Sequence, residues 1–411
     1  MKVLILCDMF PPAFGPRMGY LCKYLKQYGW EPTVITEHIP DTTFTFLKGD
    51  FPVVYIDYYK SKSKLAWIKV FFLNLFFNYK DRKIYKEALR QIRKQQFDMI
   101  LCSTYRTFPL LAAQKTAQKT KLPLVVDLRD IIEQYTGSEF ISYPLPRLFG
   151  LEKRIVSIFR KKNLKQRNRV LRQANHVTTV SPWHVETLKP YNANISLVYN
   201  GYDPDIFYPE IIESDRFYIT YTGRILSIAM RNPELLFLSV RRLSDEYFFT
   251  PDTFCMRWYV DEASREILQY EAEKYGVAAY MSYFGYVPAS DVPTVLNESS
   301  ILLLLTNKAD SSGPKGIMTT KFFEALAVEK PILCVRGDEG CLEEVIHRTQ
   351  AGLSAHTEEE VYLFIKEYYL QWKVVKHVTS NPARGEVMKF SRKEQAAEFI
   401  RIFEQTIKAD E

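Results

Sequence analysis

The chain has 411 residues, which at roughly 150 residues per domain suggests two or three domains. Hydrophobic residues make up 47% and charged residues 25%, and 16 Gly with 21 Pro are too few for a collagenous or low-complexity chain. The net charge of +7 hides an asymmetry: residues 1–200 carry 32 Lys+Arg against 15 Asp+Glu, while the rest carry 23 against 33. A uniform polyanion-binding surface is therefore unexpected, and the basic half should face something anionic.

The first apolar run, 3–7, follows a single lysine and is followed at once by Asp8 and two prolines, so it reads as a core strand rather than a signal peptide. A parallel α/β series continues from it. A helix is expected at 18–28, strands at 32–36 and 53–56, a helix at 81–95 and a strand at 98–102. A helix at 110–119 and a strand at 122–128 complete the series. Residues 65–77, LAWIKVFFLNLFF, come nearest to a membrane span but fall short of ~18 apolar residues and include Lys69 and Asn74. A second series follows, with strands at 217–223, 256–260, 280–285, 300–306 and 331–335 and helices at 233–244, 262–275 and 320–328. Between the two lies YNGYDPDIFYP, whose Asn, Gly, Asp and Pro content reads as a linker. Two domains result, 1–200 and 216–390, joined by 201–215, with a terminal helix at 391–411 packing back on the first.

Six cysteines (Cys7, Cys22, Cys102, Cys255, Cys334, Cys341) are scattered without a CxxC pair and read as buried thiols in a reducing compartment. The six histidines form neither HxH nor HExxH, so no metal site is expected. Asp203-Pro204-Asp205 has the spelling of a metal-binding DxD, although two acids flanking a proline also make a turn unaided. Ser181 lacks a GxSxG setting, and no GxxxxGK[ST] loop is present.

Several segments, in order, resemble the nucleotide-sugar-dependent glycosyltransferases of the two-Rossmann-domain (GT-B) type, family 4, and within it a bacterial polysaccharide-building subgroup. FPPAFGPRMGYLCKYLKQYGWEPTVIT is similar to the opening loop and helix, VTTVSPWHVETLK to "vtavS…l", and VYNGYDPDIFYP to the "NGvD" linker. YTGRI at 221–225, FGYVPASDVPTVLNESSILLLLT and KFFEALAVEKPILCV at 321–335 are similar to the donor-domain signatures. The resemblance implies two Rossmann-like domains facing each other across a cleft, and a retaining, metal-independent transfer from a nucleotide-diphosphate sugar. It also implies a glycan or lipid-linked acceptor, no cofactor and no nucleic-acid partner.

A diphosphate leaving group needs positive charge and backbone N–H donors. Arg224, at a strand end, Arg231, before the next helix, and Lys321, opening a helix, are the expected phosphate ligands, with Gly15 and Arg17 of the 11–19 loop facing them. Glu324, Gly316 and Thr320 are expected at the ribose and sugar, and Tyr286 and Val287 beside the base. Two features depart from the family pattern: the first glutamate of EX7E falls at Gly316, and the usual lysine after the arginine falls at Ala229, leaving Arg231 to stand in for it. In the first domain, Asp127-Leu128-Arg129-Asp130 resembles a "DlRDlw" subgroup. Asp127 and Asp130 are candidates to orient the acceptor hydroxyl and take its proton, and Arg129 to hold a neighbouring carboxylate or phosphate. A structural Asp–Arg pair and a plain strand-to-helix turn are the other readings of these two segments.

An epimerase or phosphorylase on the same fold is the enzymatic alternative, and a nucleic-acid-binding surface using the cations and aromatics of 55–85 is the non-enzymatic one. A cytoplasmic chain is expected, peripheral at the inner face of the membrane. Residues 65–77 with their flanking lysines, and the nine Lys/Arg of 153–172, would contact an anionic surface.

Overall fold

The computed structural model describes residues 1–59, 63–135, 137–138, 140–141, 152–306, 318–335 and 340–409, with all their side chains except those of Lys64 and Leu75. The chain divides into two compact units, Met1–Tyr199 with Arg392–Glu411, and Asn200–Ser391.

In the first unit, seven strands form one parallel sheet: β1 (Lys2–Cys7), β2 (Glu31–Glu37), β3 (Val53–Ile56), β4 (Met99–Thr104), β5 (Leu124–Leu128), β6 (His176–Thr179) and β7 (Ile195–Leu197). Their order is β3-β2-β1-β4-β5-β6-β7. Runs such as VLILC are apolar throughout because both faces are covered: Leu4, Leu6, Ile100 and Cys102 enter one core, Val3, Ile5, Met99 and Leu101 the other. Around the sheet lie α1 (Pro16–Gln27), α2 (Lys64–Phe77), α3 (Tyr79–Lys94), α4 (Leu110–Thr120), α5 (Glu152–Leu171) and α6 (Pro182–Leu188). The segment 65–77 is thus helical, and no helix among the described residues is long and apolar enough to cross a membrane.

The second unit has a six-stranded parallel sheet of β8 (Phe217–Thr222), β9 (Phe254–Tyr259), β10 (Met281–Phe284), β11 (Ile301–Leu305), β12 (Ile332–Val335) and β13 (Gly352–Ala355), in the order β10-β9-β8-β11-β12-β13. Its helices are α7 (Glu234–Asp245), α8 (Glu262–Lys274), α9 (Val292–Asn297), α10 (Thr320–Ala327), α11 (Cys341–Thr349), α12 (Glu358–Val375) and α13 (Arg384–Met388). The last helix, α14 (Arg392–Lys408), returns to the first unit, where Phe403 packs 5.4 Å from Trp30 between ring centroids.

The strand order reverses between β1 and β4 in one sheet and between β8 and β11 in the other. Ligands of open α/β sheets bind beyond the carboxyl ends of strands at such reversals. Asp8 and Tyr105 follow β1 and β4, and Gly223-Arg224 follow β8.

Candidate functional site

Cations converge where β8 ends in the second unit. Gly223 has a φ of +150°, and a β-carbon there would collide with the Lys321 ammonium and lie 3.1 Å from the Tyr221 hydroxyl. Only glycine satisfies both conditions. The Tyr221 hydroxyl donates to the Arg224 carbonyl at 2.9 Å, and Arg231 Nη1 donates to the same carbonyl, so the loop brings Arg231 back against its own start. Arg224 is exposed, its Nε donating to the Tyr286 hydroxyl at 2.8 Å and lying 3.2 Å from Asp261. Val287, next along, is half-buried.

Lys321 is solvent-exposed as a residue, but its ammonium is tucked against Gly223. Burial of that end pushes it down to about 8, Arg231 and Arg224 push the same way, and Glu324 opposes them. Three cations thus crowd one place, with Thr320 and Glu324 half-buried on the same helix, α10. Such a cluster is electrostatically unfavourable until an anion enters it. Gly316 lies outside the described residues.

The first unit revises the expected roles. Arg17 is buried on α1, and its Nε and Nη2 donate to the two Asp127 oxygens at 3.1 and 3.0 Å. It also donates to the carbonyls of Tyr199 and Val198 at 3.0 and 2.9 Å. A guanidinium held this way is not presented to a donor phosphate. Asp127 also accepts from Ser103 at 2.8 Å and Thr178 at 2.9 Å. Burial would raise its carboxyl, but Arg17 and these hydroxyls outweigh burial and hold it below the usual range. With four hydrogen bonds and no exposure, Asp127 is a structural carboxylate rather than a proton acceptor. Gly15 precedes α1 because a β-carbon would lie 2.8 Å from the Met9 carbonyl and the Phe10 α-carbon. Close backbone packing therefore accounts for Gly15.

Arg129 pairs with Asp8, which also accepts from the Thr104 hydroxyl at 2.9 Å and the Tyr105 N–H at 3.2 Å. Asp130 is different. It is half-buried and accepts from Gln134 Nε2 and the Tyr135 hydroxyl, each at 2.9 Å, and burial lifts its carboxyl above the ordinary range despite both bonds. Of the two acids in the DLRD segment, only Asp130 has its carboxyl raised and is less than fully buried, the properties a proton acceptor needs.

Sequence reasoning missed Asp8, Glu37, Lys80 and Arg106, which line one recess at the strand ends. The available signal was a carboxylate at the end of each of the first two strands. The Asp203 side chain accepts from the Asp205 N–H at 3.1 Å, a turn, and among the described residues no three His, Cys, Asp or Glu gather as a metal site.

Residues 17–206 match the model of Glycosyltransferase Family 4. No curated protein sequence matches the chain. Solved structures similar over nearly all of both chains include a glycosyltransferase from Rickettsia africae ESF-5, with 16% identity and a TM-score of 0.63, covering 99% of this chain and 98% of that one. Anabaena HepE, solved with UDP and glucose, has 14% identity and a TM-score of 0.62, covering 98% and 100%. Sucrose-phosphate synthase from Thermosynechococcus elongatus has 13% identity and a TM-score of 0.64, covering all of both. Over residues 17–206, just under half of its length, the chain is thus similar to Glycosyltransferase Family 4, and its two units have the fold of the GT-B glycosyltransferases.

Proposed function

We propose that the protein transfers a sugar from a nucleotide-diphosphate sugar to an acceptor hydroxyl, with retention at the anomeric carbon as the family resemblance implies. The observation that carries this reading is the convergence of Arg224, Arg231 and Lys321 beyond β8. As the donor's glycosidic bond breaks, negative charge grows on the diphosphate, and cations already in place stabilise it without reorganising. They supply the charge that a divalent ion otherwise would, so transfer without an added metal is expected. Glu324 on α10 is suited to accept from ribose hydroxyls, and the exposed ring of Tyr286, beside Arg224, to stack on the base. Asp130 orients the acceptor hydroxyl and takes its proton.

The acceptor on this reading is a lipid-linked or polysaccharide-precursor glycan, reached from the cytoplasmic face of a membrane. Support comes from α2, whose Leu65, Phe72, Phe76 and Phe77 are exposed, and from α5, which with Arg172 presents Lys153, Arg154, Lys161, Lys162, Lys165 and Arg169 to solvent. Lys80, expected in this flank, is instead buried against Glu37.

HepE was solved with UDP and with UDP-glucose, so UDP-sugars are the first donors to test. Incubation with UDP-, GDP-, ADP- and TDP-sugars, with and without EDTA, would be followed by nucleoside-diphosphate release. Release that depends on acceptor and survives EDTA supports transfer. A free epimerised sugar nucleotide, or turnover that requires inorganic phosphate, replaces transfer with the epimerase or phosphorylase reading.

A further inference from the structure

Beyond β1, β2 and β4 the first unit holds a recess of about 180 Å³ whose walls include Asp8, Glu37, Tyr59, Lys80, Tyr105 and Arg106. Its charges mostly cancel in pairs. Lys80 Nζ donates to both Glu37 oxygens, at 2.6 and 2.7 Å, and Arg129 pairs with Asp8. Arg106 is left over, with no ion pair among the described residues. Its guanidinium lies 4.5 Å from the Tyr105 ring centroid, and that of Arg129 lies 5.3 Å from the same centroid. The Nε of Arg106 and the Nε of Arg129 are both buried and lack a hydrogen-bond acceptor among the described residues. Buried donors on cations are rarely left unpaired, and such an orphan is explained by a group that is absent.

A second hollow adjoins the first, sharing Tyr59 and Lys80 with it and adding Trp67, Val70 and Phe71 of α2. Orphan guanidinium donors at one end, and aromatic side chains leading onto an exposed apolar helix at the other, match an anionic amphiphile. An acidic sugar would use only the charged end.

We propose that this recess binds the acceptor through the phosphate of a lipid phosphate ester, which Arg106 and Arg129 hold while the apolar chain leaves along α2. The inference rests on the reading that the first unit takes the acceptor, and it assigns that acceptor's chemical class. Arg106 acts in binding rather than as a proton carrier.

The test is calorimetric titration of the full chain, without nucleotide sugar, with farnesyl phosphate below its aggregation concentration. Farnesol, inorganic phosphate and methyl glucuronide serve as comparison arms. Farnesyl phosphate should bind at least tenfold more tightly than any of the others. Arg106→Gln should remove most of that preference and Arg106→Lys should restore part of it, the variants keeping the parent circular dichroism. Binding should also change tryptophan fluorescence, and Trp67→Phe should abolish that change. Equal binding of farnesol, an unaffected Arg106→Gln variant, or a fluorescence change that survives Trp67→Phe would each overturn the proposal. Methyl glucuronide binding as tightly as farnesyl phosphate would overturn it in favour of an acidic sugar. UDP binding, measured separately, reports on the donor site, so failure here is distinguishable from failure of the transferase reading.

Discussion

The Lys321 ammonium occupies the space that a side chain on Gly223 would fill. A glycine at the end of β8 therefore does two jobs: it takes a φ of +150° and it lets a lysine from α10 reach the loop that carries Arg224 and Arg231. Gly223→Ala should displace that lysine and weaken nucleoside-diphosphate binding at least tenfold, with some loss of stability because alanine is strained at that φ. Arg224→Ala and Lys321→Ala should each lower turnover more than tenfold, since one contact to a developing anion is worth about 2–4 kcal/mol. Near-parental turnover in both variants would remove this cluster from the donor site.

The cluster also dictates a pH dependence. With its ammonium lowered to about 8 by burial and by Arg231 and Arg224, Lys321 loses its proton as pH rises through that value. An incoming diphosphate favours the charged form, so binding takes up protons and affinity falls on the alkaline side. Isothermal titration at pH 7 and 9 should show weaker UDP binding at the higher pH. Lys321→Arg, which stays charged, should flatten the difference, and a pH-independent affinity in the parent would contradict the assignment.

Asp130 makes an opposite prediction. Burial raises its carboxyl above the ordinary aspartate range, so kcat should fall as pH drops through that raised value, where the carboxyl is protonated and cannot accept a proton. Asp130→Asn should cost about 10²–10⁴ in kcat while leaving UDP affinity intact. If donor affinity fell instead, Asp130 would be a binding or structural residue.

Arg17 and Asp127 belong to the core of the first unit. Removing one partner strands the other as a buried charge, so Arg17→Ala should cost about 3–5 kcal/mol in urea unfolding. The Asp127 carboxyl is held below its usual range in the fold, so its contribution is present above the unfolded aspartate pKa. That contribution is lost as pH falls through the folded value, and Arg17→Ala should shift acid unfolding to higher pH. A variant as stable as the parent that still failed to bind UDP would return Arg17 to the donor site.

Much of this was legible in the sequence because parallel strands buried on both faces are written as short unbroken apolar runs, as in VLILC and ILLLL. Arg224, Arg231 and Lys321 could be named because a strand end and a helix start mark where side chains converge. What the sequence could not convey was pairing across 110 positions: Arg17 and Asp127 both sit in segments that resemble catalytic ones, and only the fold brings them together. Asp8 and Arg106 escaped notice for the same reason, since each is a single charged residue after a strand. Lys80, similarly, looks like a surface cation until Glu37 is seen beside it.

The exposed helix α2 carries the last prediction. Leu65 is 78% exposed and Phe76 68%, and the rings of Phe72 and Phe76 stack with centroids 6.3 Å apart, while Val70 alone among the described side chains of this helix is buried. Burying each such side chain in an apolar phase is worth about 1.5–3 kcal/mol. Exposed Lys69, Arg82 and Lys86, with the α5 cations, each add about 1 kcal/mol at an anionic surface. Lys162 of α5 and Asn74 of α2 line one pocket, so the apolar and basic elements are neighbours within the first unit. The full chain should therefore float with phosphatidylglycerol vesicles more than with phosphatidylcholine ones, and 0.5–1 M salt should weaken the association because it screens the cations. Phe72→Ser with Phe76→Ser should abolish flotation while leaving thermal stability nearly unchanged, because neither ring is part of a core. A parent protein with no preference for the anionic vesicles would leave a soluble acceptor as the better reading.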